Sequence, residues 1–392
     1  MNAGKMSDAS GRAADVIVIG AGAVGAATAY FAARAGLRVI VLDSGPLAGG
    51  TSSACEGNIL VSDKEAGPEL DLSLYSQNVW REDLVEFSGL WEFESKGGLV
   101  VAASEQSAQS LRDLTARQRA SGIQVADVHR DALVDYEPHI SKELTAGAFY
   151  PEDAQVQPML VVAHLLRLAR ELGAAVHTHT PVTGFTRAGA AVTGVRTPRG
   201  DFSAPAVVNA AGTWAGGVAD LAGVHVPILP RRGFVLVTEA LPVIIRHKVY
   251  AAEYVDNVSS SDAGLQTSPV VEGTDSGTVL IGSSRERVGF DRTVSVPVLA
   301  ALASKAIDLF PVLSEVKVIR HYHGFRPYCP DHLPVIGPDP RASGLWHAAG
   351  HEGAGIGLSA GTGKLIAQSI TGTSTDLPLT SFAPERFEQV LT

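Results

Sequence analysis

The fold of this chain is decided by the stretch Asp15-Val-Ile-Val-Ile-Gly20-Ala-Gly22-Ala-Val-Gly25. Its β-branched run at 16–19 predicts a parallel strand that is buried on both faces. Gly20 then permits a tight turn, Gly22 lets the backbone approach a phosphate, and Gly25 lets the following helix pack close to the strand. The stretch therefore predicts the first strand, turn and helix of a dinucleotide-binding α/β fold.

The residues that follow continue this pattern. The alanine-rich run at 26–35 predicts a helix that ends at Gly36, and the N-terminus of such a helix offers free N–H groups to a pyrophosphate. A second strand at 38–42 ends in Asp43, at the place where an acid binds a ribose hydroxyl of a dinucleotide. Residues 16–33 lack charge, as a membrane helix would, but the glycines and the change from Val and Ile to Gly and Ala favour strand, turn and helix.

The composition limits the classes of protein to consider. A chain of 392 residues with 45% hydrophobic residues can bury a core large enough for two domains, and its net charge of −10 argues against a nucleic-acid partner. Cys55 and Cys329 lack the spacing of a zinc or iron–sulfur motif. Two alternating histidine pairs, His177 with His179 and His321 with His323, have no carboxylate or cysteine at ligand spacing, so we expect no metal. The first fourteen residues contain no apolar signal-peptide segment, so we expect a cytoplasmic protein without a transmembrane segment.

Four further motifs follow along the chain. They are Gly49-Gly-Thr51-Ser52-Ser-Ala-Cys55-Glu-Gly57-Asn58, Val207-Val-Asn209-Ala-Ala-Gly212-Thr-Trp214, Gly324-Phe-Arg326-Pro327-Tyr-Cys-Pro-Asp331-His-Leu-Pro334-Val-Ile-Gly337 and Gly350-His-Glu-Gly353-Ala-Gly355-Ile-Gly357. With the first stretch, they resemble the D-amino-acid-oxidase superfamily of FAD-dependent oxidoreductases. Within it, the resemblance is to glycine oxidase, D-amino-acid dehydrogenase and the β subunits of opine oxidase and hydrogen cyanide synthase. It runs from Asp15 to about Ile370, with the five motifs in the family's order.

This resemblance implies an α/β fold with two interleaved domains. A Rossmann-like FAD-binding domain would comprise residues 12–95, 151–225 and 319–392. A mostly antiparallel α+β substrate domain would comprise residues 96–150 and 226–318. The resemblance also implies that FAD is held non-covalently, because neither cysteine occupies the position of covalent attachment in relatives, which matches Gly324 here.

The glycine motif and the resemblance together imply a set of FAD-binding residues. The last three of the set begin the helix aimed at the flavin pyrimidine, where helix N–H groups stabilise the negative charge of reduced flavin. The set is Gly20, Gly22, Ala23, Val24, Gly25, Asp43, Ser44, Thr51, Ser52, Gly57, Asn58, Val182, Ala211, Gly212, Trp214, Arg326, Gly355, Ile356 and Gly357.

Arg326 is the main candidate for binding substrate. Its guanidinium group matches a carboxylate in a bidentate way, and the family uses the arginine of this Gly-x-Arg-Pro motif to hold the amino-acid carboxylate. Gln266 and His351 are weaker candidates, the first for contact with the substrate side chain and the second for orienting substrate or water. Glycine oxidase carries a second arginine where this chain has Gly353, so we expect substrates larger than glycine, including secondary amines and opine-like compounds.

These observations predict FAD-dependent oxidation of a C–N bond in an amino acid or in a secondary amine with a carboxylate. Hydride would pass from Cα to flavin N5, and water would hydrolyse the resulting imine; no side chain is needed as a base if the amine is already neutral. Two alternatives stay open. One is a 2-hydroxy-acid dehydrogenase with His351 as base, and the other is a flavin subunit that is active only in a complex with an electron-accepting partner subunit.

Overall fold

The computed structural model describes residues 11–255 and 260–390, without the side chains of 388–390. Its strands are β1 (Val16–Ile19), β2 (Val39–Leu42), β3 (Asn58–Ile59), β4 (Gly98–Ala102), β5 (Ala126–His129), β6 (Ala146–Tyr150), β7 (Ala154–Gln155), β8 (Ala175–His177), β9 (Gly184–Ala188), β10 (Ala191–Arg196), β11 (Phe202–Ser203), β12 (Ala206–Asn209), β13 (Leu229–Thr238), β14 (Lys248–Ala251), β15 (Gln266–Gly273), β16 (Val279–Arg285), β17 (Val318–Tyr328), β18 (Val335–Pro338) and β19 (Leu345–Ala349). Its α-helices are α1 (Ala23–Arg34), α2 (Pro68–Asn78), α3 (Glu105–Ala120), α4 (Leu133–Tyr136), α5 (Pro158–Glu171), α6 (Ala215–Leu221), α7 (Val296–Leu309) and α8 (Gly355–Thr371).

Strand β1 lies inside a six-stranded sheet with the order β18-β19-β12-β1-β2-β8. It pairs in parallel with both β12 and β2, and all four of its residues are buried. Helices α1, α5 and α8 share one apolar core on one face of this sheet, while α6 and the three-stranded sheet β11-β10-β9 cover the other face. The predicted Rossmann-like α/β arrangement is therefore confirmed, although α1 begins three residues earlier than the alanine run indicated.

Two glycines let the elements around β1 come into backbone contact. A Cβ atom at Gly25 would lie 2.0 Å from the carbonyl oxygen of Gly20, so α1 packs directly against the turn after β1. A Cβ atom at Gly363 would lie 2.6 Å from the carbonyl carbon of Ala27, so α8 packs directly against α1. A side chain at either position would separate these elements and shift the turn between β1 and α1.

The second large sheet has eight strands in the order β17-β13-β16-β15-β14-β4-β6-β5. Neighbouring strands within this sheet are antiparallel, except for β14 and β4, which are parallel. Its outer face packs against α7 through a cluster that includes Phe234, Leu236 and Leu302. We call the opposite side the inner face. It carries Arg326 and points toward the six-stranded sheet.

One predicted domain boundary falls within a strand of the eight-stranded sheet. The sequence placed residue 319 at the start of the third FAD-binding segment, but 319–328 belong to β17 of the eight-stranded sheet, where β17 pairs with β13 over ten residue pairs from Leu229 with Tyr328 to Thr238 with Val318. The Gly-x-Arg-Pro motif therefore lies on a strand of the predicted substrate domain. The division into two domains and its boundaries stay a prediction.

The uncharged stretch at 16–33 divides into β1, a turn and α1, as its glycines indicated. Over the described ranges, no helix combines the length and the apolar character needed to cross a membrane.

A buried carboxyl group lies on β15. Both oxygens of Glu272 are buried and, within the described residues, accept no hydrogen bond. The Nζ atom of Lys96 lies 3.8 Å from Oε1 of Glu272, which is too far for a hydrogen bond. Burial raises the pKa of Glu272 to about 7, against the opposing effect of Lys96 and Lys248. Folding therefore favours the protonated form of this carboxyl group.

Replacing Glu272 with Gln is expected to change how stability depends on pH. The unfolded chain ionises Glu272 near pH 4.5, whereas the folded protein does so near pH 7, so stability contributed by the protonated group is lost as the pH rises through this interval. Relative to Glu272→Gln, the wild type should lose on the order of 2 kcal/mol in free energy of unfolding between pH 4.5 and 7.5. Urea unfolding of the FAD-loaded proteins measures this difference, with the exposed Glu105→Gln as control. Parallel pH curves for wild type and Glu272→Gln would contradict the assignment.

Candidate active site

A cavity of about 510 Å³ runs from the carboxyl ends of β1 and β2 to the inner face of the eight-stranded sheet. Ligands of open α/β sheets bind beyond the carboxyl ends of the strands, so this is the expected place for a dinucleotide. Ile19 and Leu42 line the cavity at one end, and Val235 and Arg326 line it at the other. One elongated ligand can therefore contact both sheets.

The nucleotide end of the cavity is built largely from backbone. Gly20 has φ +112°, which favours glycine, and a Cβ atom there would lie 2.4 Å from the carbonyl oxygen of Ala210. The Ala23 N–H at the start of α1 donates to Oγ of Ser52 at 3.0 Å, so the 49–58 loop is attached to the helix N-terminus. The Asp43 carboxylate accepts hydrogen bonds from the backbone N–H of Ala21 at 2.6 Å and of Gly45 at 2.7 Å. Each of its oxygens keeps a further lone pair for a ribose hydroxyl.

The middle of the cavity is formed where two loops meet strand β17. The hydroxyl groups of Thr51 and Thr213 both donate to the carbonyl oxygen of Phe325, at 2.7 and 2.6 Å. Trp214 stacks on Phe290 with ring centroids 5.4 Å apart, at the edge of the same region. The residue next to Phe325 is Arg326, so these two loops fix the backbone that carries it.

The N-terminus of α8 closes the cavity on another side. A 3₁₀ turn, Glu352–Ala354, leads into the helix, and the carbonyl oxygen of Gly357 accepts hydrogen bonds from Ser76 at 2.6 Å and Trp80 at 2.9 Å. These bonds hold the first turn of α8 in place, with its free N–H groups at the cavity. A helix N-terminus stabilises negative charge, as the flavin pyrimidine requires on reduction.

His351 lies at this end of the cavity but is not available as a base. It is buried, and its Nε2 atom lies 3.0 Å from the Thr362 hydroxyl, with which it forms a hydrogen bond. Burial lowers the pKa of His351 to about 3. The imidazole therefore stays neutral, and its affinity for a proton is very low.

Arg326 presents a guanidinium group without a carboxylate partner in the described part of the chain. Its Nη1 atom donates to the carbonyl oxygen of Ser284 at 2.9 Å, and its pocket is completed by two glycines. A Cβ atom at Gly233 would lie 2.0 Å from Nη1, and one at Gly353 would lie 3.7 Å from Nε. The structural alternative for Arg326, a salt bridge, has no partner among the described residues, and the free side of the fork can bind an anion.

The structure brings most of the predicted site residues to this one cavity. Gly25 lies outside its lining because it packs against Gly20, the role that the sequence indicated for it. Gln266 also lies outside the lining, contrary to expectation: its Oε1 accepts from Arg231 at 3.1 Å and its Nε2 donates to Ser260 at 2.7 Å. The predicted residues in the lining are Gly20, Gly22, Ala23, Val24, Asp43, Ser44, Thr51, Ser52, Gly57, Asn58, Val182, Ala211, Gly212, Trp214, Arg326, His351, Gly355, Ile356 and Gly357.

Sequence reasoning missed several charged and polar residues of the cavity. Glu56, Lys64, Tyr254 and Arg292 line it as well. Glu56 sits inside a motif that was singled out for its glycine and its small residues, so its charge was overlooked. Lys64 belongs to a polar segment that resembles a solvated loop, yet it is buried in ion pairs with Asp63 and with Glu69, the latter at 2.9 Å.

The cavity also contains polar atoms that require a ligand or water. Oε1 of Glu56 and Oδ1 of Asn58 are buried and, among the described residues, have no hydrogen-bond partner. Buried polar atoms without partners are rare in native proteins, and those at a cavity point to a polar ligand. With the glycine turn at one end and the two helix N-termini, these atoms fit a large, polar dinucleotide such as FAD.

Comparison with known proteins agrees with this geometry. The family model for FAD dependent oxidoreductases matches residues 15–369. The hydrogen cyanide synthase subunit HcnC of Pseudomonas aeruginosa is 28% identical over 420 aligned positions, which cover 96% of this chain and 97% of the relative. Glycine oxidase of Bacillus subtilis is 28% identical over 362 positions, covering 91% and 92%. The crystal structure of glycine oxidase from Geobacillus kaustophilus gives a TM-score of 0.87 at 27% identity, covering 96% of this chain and 99% of that one. The cofactor of the chain is therefore FAD.

FAD is expected to be released when the protein is precipitated with acid. Cys55 lines the cavity, but burial raises the pKa of its thiol to about 12, so the nucleophilic thiolate is scarce. Cys329 is buried outside the lining, and burial raises the pKa of its thiol as well. Precipitation with trichloroacetic acid should leave a colourless pellet and a yellow supernatant. Colour that stays in the washed pellet would contradict non-covalent binding.

Proposed function

The chain belongs to the family of FAD-dependent oxidoreductases, and we propose that it oxidises the C–N bond of an amino acid or secondary amine that carries a carboxylate. It is an FAD-dependent amino acid oxidoreductase, and the finer proposal concerns its substrate and its mechanism. The observation that carries it is Arg326, a cavity-lining guanidinium group that has no carboxylate partner among the described residues. Such a group supplies a bidentate site for the carboxylate of the substrate.

Neighbouring arginines support an anionic substrate. Arg231 and Arg285 are both buried on β13 and β16, and burial lowers the pKa of each, that of Arg285 to about 10. The positive charge of Arg326 lowers both pKa values further, so the three guanidinium groups lie close enough to repel one another. In the described part of the chain, Glu352, at 3.7 Å from Arg231, is the one carboxylate within 4 Å of any of them. The excess positive charge attracts and orients a carboxylate.

The proposed reaction removes two electrons from the substrate. When bound, FAD supplies the acceptor for these electrons and for the hydrogen of Cα, which leaves as hydride. The neutral amine thereby becomes an iminium ion, and addition of water gives a 2-oxo acid and ammonium, or the protonated amine if the nitrogen carries a substituent. Arg326 orients the carboxylate, and thereby Cα, throughout.

The hydroxy-acid alternative is less well supported. Oxidation of an alcohol needs a base to take the hydroxyl proton, and His351 is the imidazole that lines the cavity. Its pKa is lowered to about 3 by burial, and its Nε2 atom is already engaged with Thr362. An amine substrate needs no such base once it is neutral.

A role within a complex has one specific observation in its favour. The similar protein HcnC is named as a subunit of hydrogen cyanide synthase, and the similarity covers 96% of this chain. A partner subunit that accepts electrons is therefore our second candidate arrangement for the same chemistry.

Anaerobic reduction of the purified, FAD-loaded protein tests the proposed function. We expect amino acids or secondary amines with a carboxylate to bleach the visible absorbance of oxidised flavin, and larger members to do so faster than glycine. The reason for the size preference is that Gly353 leaves space beside Arg326. Bleaching by 2-hydroxy acids alone would favour the hydroxy-acid alternative. A yellow protein that no compound reduces until a partner is added would favour the subunit role.

Replacing Arg326 with Ala is expected to lower kcat/KM, because the substrate carboxylate loses a charged bidentate partner. The loss of transition-state stabilisation should be about 2–5 kcal/mol. Arg326→Lys should recover only part of this loss, since an ammonium group cannot form the same fork. Steady-state or stopped-flow kinetics with the best substrate of the anaerobic series measure both variants. Arg320→Ala is the matched control, because Arg320 lies on the same strand but is exposed. Near-wild-type kinetics for Arg326→Ala would refute the assignment.

A further inference from the structure

Two glycines leave space on the inner face of the eight-stranded sheet for two opposite charges. A Cβ atom at Gly233 would lie 2.0 Å from Nη1 of Arg326, and one at Gly282 would lie 2.1 Å from Oε1 of Glu56. Because β13 and β16 are paired neighbours in this sheet, the two glycines lie roughly 8 Å apart by strand geometry. A cation and an anion therefore sit above neighbouring glycines on the same face, and both line the cavity.

Glu56 is buried and incompletely paired. Its exposed fraction is 9%, and in the described chain its Oε1 atom accepts no hydrogen bond. Its Oε2 atom accepts one bond, from Nδ2 of Asn58 at 3.3 Å. No lysine, arginine or histidine of the described ranges forms an ion pair with it. A buried carboxylate without a cationic partner is costly, so a ligand that brings a positive charge or N–H donors to this carboxylate would be strongly stabilised.

We propose that the carboxylate group of Glu56 binds the amine nitrogen of the substrate, while Arg326 binds its carboxylate. This inference rests on the proposed function, since it assigns the second half of the same substrate site. An anion and a cation above neighbouring glycines of one face suit an α-amino carboxylate, whose nitrogen and carboxylate are both bonded to Cα. The nitrogen retains at least one N–H in a primary or secondary amine, so it can donate to Glu56.

The same contact would assist the reaction. As the Cα–H bond breaks, positive charge develops on the substrate nitrogen, and a carboxylate fixed beside it stabilises that charge more strongly than water would. An alcohol of the same skeleton can donate its single O–H to the carboxylate, but it carries no positive charge and develops no iminium charge. Glu56 thus acts as a specificity-determining residue that favours amines over 2-hydroxy acids.

Binding of matched ligands to wild type and Glu56→Gln tests the proposal. The first set is alanine, lactate and propionate, and the second is proline, tetrahydrofuran-2-carboxylate and cyclopentanecarboxylate, with both enantiomers where they exist. Within each set the carbon skeleton stays similar while the amine is replaced. Perturbation of the flavin spectrum gives Kd under anaerobic conditions, and stopped-flow bleaching gives the rate of reduction.

Glu56→Gln is expected to weaken binding of the amines by about 10- to 100-fold and to slow their reduction, while Kd for propionate and cyclopentanecarboxylate stays within about twofold. Glu137→Gln is the control, because Glu137 is another buried glutamate but lies outside the cavity lining. It should leave the affinities for all of these ligands unchanged. FAD content and thermal unfolding show whether each variant is folded and loaded, and Glu56→Asp provides a conservative variant if Gln is not tolerated.

Equal loss of affinity for amines and plain carboxylates in Glu56→Gln would overturn the proposal, as would no loss for either. A change in FAD affinity without a change in ligand discrimination would assign Glu56 to the cofactor instead and would also overturn it. Failure of the proposed function is a separate result, namely that no amine reduces the wild type. In that case the difference in Kd between amine and plain carboxylate still tests Glu56, since it requires binding and not turnover.

Discussion

The carbonyl oxygen of Phe325 is the point on which the candidate site depends. It accepts hydroxyl hydrogen bonds from Thr51 and Thr213, at 2.7 and 2.6 Å. These threonines come from two loops that follow strands of the six-stranded sheet, whereas Phe325 lies in the eight-stranded sheet. A single acceptor thus joins three segments that are far apart in the chain. Because Arg326 is the next residue, these two bonds help to set its position relative to the nucleotide end, together with the bond from its side chain to Ser284.

Backbone proximity explains why the sequence predicted the nucleotide end so well. At Gly20, Gly25 and Gly57 the limiting contact is with a carbonyl oxygen, at 2.4, 2.0 and 1.9 Å from where a Cβ atom would be. Only glycine satisfies such a contact, and the spacing of the glycines is local in sequence. The strand, turn and helix can therefore be derived from eleven consecutive residues, and the resemblance to a known family extended the prediction to the other motifs.

The substrate end could not be derived in the same way. Gln266 was expected to contact the substrate, but the strand pairing sets it opposite Arg285, where it supports Arg231 instead. Glu56 was overlooked, although it belongs to a quoted motif, because its environment depends on Gly282 from a distant strand. Which side chain reaches a cavity depends on the register of the paired strands and on contacts between distant segments, and a shift of one residue would reverse the face. Composition and spacing carry no information about that register.

The electrostatic character of the cavity follows from this register. Arg326 on β17 and Glu56 above β16 face one enclosed space, and the described residues offer neither of them an ionic partner. Among the described residues, Arg326 bonds to Ser284 and Glu56 bonds to Asn58, and not to each other, so each charge retains affinity for a ligand. A ligand with both charges gains from each contact, whereas a simple carboxylate or a simple amine leaves one buried charge uncompensated. Recognition of the whole amino-acid group, and not of either end alone, is thus the property that this arrangement of glycines, cation and anion produces.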